Sequence, residues 1–282
     1  MEIVTRAEWS ARADAHAERI DRWIQPHLAR RRAGEKHPVH DFLFTYYSYS
    51  PAALRRWHPG YGVGLADASS YDGVKGYVVG PEGVAAVAAS YIAQQRTVIT
   101  SLARLLEATA SRPASYGCLG LHEWAMVYQA DETRHPVPLR LGFSGTDAVV
   151  NSHRIRCSHF DAFRFFTPAA VPLNTLTPGR DNRPSFEQPG CLHANMDLYK
   201  HAFRLSPLIP AELVADCFDL AWRVRELDMR ASPYDLVDWG YSPVAIETPE
   251  GKAEYADAQR AFSEEAAPLR ERLIAYCKRL LV

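Results

Sequence analysis

Histidines in the company of acids are the residues of this chain best equipped for chemistry. His37 and His40 precede Asp41, His122 is followed by Glu123, and His159 lies two residues before Asp161. His193, Asn195 and Asp197 alternate in Cys-Leu-His-Ala-Asn-Met-Asp. Imidazole titrates near neutrality and is the commonest metal ligand, and a neighbouring carboxylate fixes its tautomer and raises its basicity. On a helix, His193, Met196, Asp197 and Lys200 share one face. His193 and Asp197 can then ligate a metal together or act as an oriented base. The plainer alternative is a hydrogen-bonding His193 at a helix N-terminus. His122 and Glu123 would point about 100° apart on a helix, so one of them alone looks squarely into a site. Met126 stands where His-Glu-x-x-His needs its second histidine, so that metalloprotease motif is absent. His159 and Asp161 alternate in an expected strand and would face one side, beside Phe163, Phe165 and Phe166. That suits a pocket for a planar ligand, or equally an edge strand with a solvated face. His37, His40 and Asp41 supply further pieces for a 2-His-1-carboxylate centre.

Two assignments follow. In an acid–base enzyme, Asp161 and Asp197 are the catalytic acids, His159 and His193 orient water or substrate, and Glu123 assists. In a metal-dependent enzyme, His40, His122, His159 and His193 are the ligands and Zn or Fe is the cofactor, because bound water then becomes a nucleophile near neutral pH. Substrate contacts are expected from Tyr46, Tyr47, Arg55, Arg56, Trp57 and His58, since aromatic rings interleaved with arginine stack on bases. Core packing explains the tyrosines equally well, whereas Arg55 to His58 are harder to bury and read as a rim. Asn195 and Arg230 complete that set. Asp228 or Arg230, closing a helix, holds a ligand or a histidine from across the site; a structural ion pair at the helix end is the alternative. Arg30, Arg31 and Arg32 complement a helix C-terminus or contact phosphate.

The elements that must position these groups can be read from periodicity and punctuation. Residues 6–32 predict an amphipathic helix stopped by Gly34 and Pro38. The aromatic run 42–47 predicts a strand, and Pro51 to Trp57 a short helix. Residues 60–80 read as turns and short strands, 81–109 as helix, and 118–129 as another. Between Leu139 and Phe166 short strands are expected, with a turn at 144–147. Residues 167–190 carry five prolines and read as a long ordered loop, a candidate lid. Helices follow over 191–204, 211–230 and 249 to about 280, the last interrupted near Pro268. This order lacks βαβ alternation. It describes a helix-rich α+β fold, one globular domain spanning 1–282.

Bulk properties agree with such a domain. The chain has 282 residues, 47% hydrophobic, with a formal charge of −1. That charge gives no global pull toward nucleic acid. No apolar run approaches the roughly 18 residues of a membrane span. The start lacks the apolar region of a secretory signal, and five scattered cysteines do not make a disulfide framework. A cytoplasmic location with reduced thiols is expected.

Five segments, 37–49, 121–128, 156–167, 191–200 and 227–236, resemble an actinobacterial family commonly labelled 3-methyladenine DNA glycosylase. The resemblance covers nearly the whole chain. It implies an N-glycosylase that releases an alkylated base, with alkylated DNA as partner. Gly60 to Ala66 imitates the glycine hairpin of helix-hairpin-helix glycosylases, but a turn follows it rather than a second helix. The zinc pattern of the bacterial 3-methyladenine glycosylase I family is also absent, so the resemblance implies a different scaffold. The residues leave two further readings: a metal-dependent enzyme acting on a small nucleobase-like molecule, and a non-catalytic nucleobase or DNA-damage binding protein.

Overall fold

The structure, a computed structural model, describes residues 1–282. It is a helix-rich α+β fold with one small four-stranded sheet. The strands are β1 (Glu2–Val4), β2 (Val63–Leu65), β3 (Tyr77–Val79) and β4 (Ala85–Val87), in the order β1-β2-β4-β3. β1 and β2 pair in parallel; the other pairs are antiparallel. The helices are α1 (Arg6–Ala33), α2 (Phe42–Thr45), α3 (Pro51–Arg55), α4 (Ala89–Ala110), α5 (Leu121–Ala125), α6 (Gly142–Asn151), α7 (Phe160–Phe163), α8 (Arg183–Phe186), α9 (Leu192–Leu205), α10 (Ala211–Arg230) and α11 (Pro249–Leu281). No helix is long and apolar enough to cross a membrane.

The largest helix interface joins α9 to α10, and α11 closes over α4 and α9. α10 explains why the core sits there. Leu213, Val214, Cys217, Phe218, Leu220, Ala221 and Val224 are all buried, far more than one stripe of the helix. A helix apolar nearly all round must be covered on every side. The sheet carries a separate small core around Trp57, Leu65 and Tyr71.

α1, α3, α9 and α10 follow their sequence signals closely. α1 begins at the Thr5–Glu8 capping box and ends at Gly34, which adopts the left-handed conformation that glycine tolerates best. Several expectations need correction. Residues 42–47 are not a strand but α2, its C-cap Tyr46 and a bend at Tyr47. Leu43 and Tyr47, one turn apart, are buried, and Phe42 stacks on Tyr46 at the same spacing, so packing overrides β propensity. The stretch 139–166 forms no strand; it holds α6 and α7, and its β pairing is confined to isolated bridges, Leu139 with Tyr234 and Ile155 with Asn174. The expected turn at 144–147 lies inside α6, where Thr146 Oγ1 donates to Gly142 O. His159 caps α7 and Asp161 belongs to it, so they share no strand face. The helix expected over 118–129 shrinks to α5, and β4 occupies the start of 81–109. α11 runs without interruption through Pro268. Residues 167–190 contain α8, and Gln188 pins them to Ser115 by two hydrogen bonds.

Asp41 joins the end of α1 to the start of α2. Its Oδ1 accepts from Arg30 Nη2 and meets His27 Nδ1, both at 2.9 Å, and its Oδ2 accepts from the His37 backbone at 2.8 Å. Burial raises its pKa, but these partners outweigh it and hold the carboxyl below its ordinary value. A depressed carboxylate pKa stabilises the fold above the unfolded pKa, near 3.9, and ceases to do so as pH falls through the folded value. Asp41→Asn is therefore expected to lose about 1–2 kcal/mol at pH 7. The difference should shrink steadily below about pH 4, as urea titrations at several pH values would register. A loss independent of pH would rule out this ionic role.

Candidate functional site

The site is built on α10. Arg225 and Asp228, one turn apart and both buried, face α5 across the core. His122 Nε2 meets Asp228 Oδ1 at 2.8 Å. Arg225 Nη1 donates to Glu123 Oε1 and to Asp228 Oδ2, each at 3.0 Å. Both partners on α5 are thus claimed, although they are neighbours in sequence. α5 spans little more than a turn and is wholly buried. It begins at Gly120, which has a φ of 70°; a Cβ there would meet Tyr255 and Ala231 at 3.3 and 3.4 Å. Trp124 Nε1 donates to Ala231 O at 2.8 Å, a second tie to the end of α10. Burial opposes charge on His122, but the Asp228 carboxylate outweighs it and raises the imidazole pKa well above its usual value. The other ring nitrogen of His122 lies 3.9 Å from Cys118 Sγ.

His193, in the first turn of α9, approaches this cluster edge-on. Its ring centroid is 4.4 Å from that of His122 and 5.4 Å from that of His159. Burial, followed by the charge of His122, pushes its pKa down to about 3, so it is neutral at pH 7. Together with Glu123 and Arg225 it lines a cavity of about 300 Å³, at the small end for ligand pockets. Phe42, Tyr46, Met126 and Phe165 supply apolar walls; Thr45, Arg134, His135 and Asp161 supply polar ones. Guanidinium groups lie over two of the rings, Arg225 over Phe42 at 4.2 Å and Arg134 over Phe165 at 4.4 Å.

A second buried network stands behind the cavity. Asp197 Oδ1 accepts from Tyr47 Oη at 2.8 Å and Oδ2 from Arg183 Nη2 at 3.0 Å; His159 Nε2 lies 3.3 Å away. Arg183 also binds Glu187 at 2.5 Å, and His159 faces Glu187 at 3.7 Å. Burial disfavours the Asp197 carboxylate, but His159 and Lys200 override it and hold the pKa well below normal. Asp161, nearer the cavity, binds Lys200 at 2.7 Å. Burial raises the Asp161 pKa, but Lys200, with a smaller pull from His159, outweighs it and lowers the value.

Comparison with family models, curated proteins and solved structures returns no match to this chain.

Of the residues singled out by sequence, the cavity receives Glu123, Asp161, His193 and Tyr46. His122 lies directly behind it. Asp197, His159 and Tyr47 are held in the second network and line no cavity wall. His40 is elsewhere, 2.9 Å from Glu226 and stacked on Trp222, so it is not brought to His122 and His193. The expected rim is not at the cavity either. Arg55 pairs with Asp21, Trp57 Nε1 donates to Glu212, and His58 meets Tyr77 Oη. Arg55, Arg56 and Trp57 line a separate groove with Trp9 and Tyr71. The reason is their position between α3 and the sheet, which takes them to the other core. Asn195 is buried between Pro189 O and Arg270, and Arg230 is occupied by Ser242 O and Glu254. Residues 167–190 add nothing to the cavity wall, although Arg183 and Glu187 anchor the network behind it. Asp228 holds a histidine from across the site, one of the two roles its sequence position allowed. Arg225, Arg134, His135 and Phe165 were not singled out as site residues. No local spacing marks them; only the aromatic run around Phe165 hinted at a wall.

The two aspartates behind and beside the cavity should behave differently. Asp197→Ala leaves Arg183 and His159 without their buried partner and is expected to cost about 3–5 kcal/mol. Asp161→Asn, closer to solvent, should cost only about 1 kcal/mol. Denaturant titrations of both variants would separate them; equal losses would contradict the placement of Asp197 as the structural member.

Proposed function

We propose that this protein is a hydrolase that holds a nucleobase-like group in the cavity and cleaves the C–N bond joining it to a sugar, as in release of a 3-methyladenine-like base from alkylated DNA. The observation that carries this reading is Glu123. Its carboxylate is buried in the wall of an aromatic cavity of about 300 Å³. Arg225 takes Oε1, which leaves Oε2 without a protein partner.

The chemistry assigned to these groups is simple. Enzymes that act on a base must take it out of the stack and hold it between apolar walls; Phe42, Tyr46 and Phe165 serve that purpose here. An N-alkylated base carries positive charge, which aromatic faces stabilise. Glu123 Oε2 accepts a proton from a water molecule as that water bonds to the anomeric carbon. The C–N bond breaks, its electron pair neutralises the cationic base, and the base departs without needing a proton. Arg225 holds the carboxylate in place throughout. The resemblance of the chain to the glycosylase-labelled family supports the same bond and substrate.

Methylated duplex DNA and an N-alkylated nucleoside are the substrates to test, with free base measured by chromatography. Release is expected from at least one, with kcat lowered about a hundredfold or more in Glu123→Gln. Phe165→Ala is expected to raise KM about tenfold through lost stacking. Full activity in Glu123→Gln, or no release from either substrate, would overturn the proposal.

A further inference from the structure

We infer that His122, His193 and Asp228 form a binding site for a divalent first-row transition metal at the inner wall of the cavity. One ligand atom from each lies within 4.8 Å of the other two. Two ligands on a cation with bonds of about 2.0–2.1 Å sit roughly 3–3.4 Å apart. His122 Nε2 and Asp228 Oδ1, at 2.8 Å, are already close to that separation. Only His193 must move inward, and it borders open space.

His193 supplies the independent observation. It is 9% exposed, yet it makes no hydrogen bond through either ring nitrogen, unlike His122, which is held on both sides. An imidazole with no protein partner that is open toward two other ligand atoms is placed to ligate. The surroundings suit a metal as well. Metal-bound histidines and carboxylates are usually held through their other nitrogen or oxygen, and His122 and Asp228 are held in this way. Cys118 Sγ stands 3.9 Å from His122 Nδ1, and Arg225 Nη1 holds Asp228 Oδ2 at 3.0 Å. Two imidazoles and one carboxylate, with the cavity side left free, match the preferences of Zn²⁺ or Fe²⁺. The cation would take the place of the proton that His122 Nε2 shares with Asp228 Oδ1. A water on that cation would face the cavity beside Glu123.

This inference rests on three side chains and not on the identity of the substrate, so metal binding and base release can fail separately. Untagged full-length protein, stripped with chelator, would be titrated with Co²⁺ under visible absorption and with Zn²⁺ under elemental mass spectrometry. About one ion per chain is expected, with Co²⁺ bands of low-symmetry nitrogen and oxygen coordination. His193→Ala, and separately His193→Gln, should weaken binding about a hundredfold or more while keeping wild-type circular dichroism. His40→Ala should bind as wild type. Absence of stoichiometric binding by wild type, or unchanged affinity in both folded His193 variants, overturns the site.

Discussion

The structure depends above all on the desolvation of charge along α10. Arg225 and Asp228 are buried with almost no access to water, and an isolated buried charge is among the least tolerable features of a protein interior. Each must therefore be answered by a partner with correct geometry. His122 and Glu123 provide those answers, and the demand fixes α5. A helix of five residues has no stability of its own. It holds its place because two adjacent side chains reach two different partners on α10 while Trp124 caps the end of the same helix.

The second network repeats the principle from the other side of His193. Asp197, His159, Arg183 and Glu187 bring α9, α7 and α8 together through charges with almost no solvent contact. Both networks are polar insertions in a helical core that is otherwise apolar. Hydrophobic contacts among α4, α9, α10 and α11 hold the helices together but are non-directional. The charged pairs are directional and set which residues face one another. His193 lies between the two networks and hydrogen-bonds to neither, and it lines the cavity beside Glu123 and Arg225.

Much of the architecture was legible along the chain. Thr5, Glu8 and Gly34 define α1 by local capping, and Pro210 marks the start of the helix Ala211–Arg230. Such signals act within a few residues, so they survive without tertiary information. The misread segments have a common cause. Phe42 to Tyr47 is rich in aromatic residues and Phe143 to Val150 combines β-branched residues with turn formers, and such intrinsic preferences are weak beside packing.

For the site, the sequence by itself supplied the reactive inventory: His122, Glu123, Asp161, His193, and the chance that Asp228 holds a distant histidine. It also determined the helix-rich class and the two long cores of α9 and α10. Only the tertiary structure decided which of these groups meet. His122 and Asp228 are 106 positions apart, and no local periodicity encodes a contact over that span. The same holds for the rim expected at Arg55 to His58, chemically apt but carried to another face by the packing of α3 against the sheet. Residue type sets what a side chain can do; burial, set by the whole fold, decides where it does it.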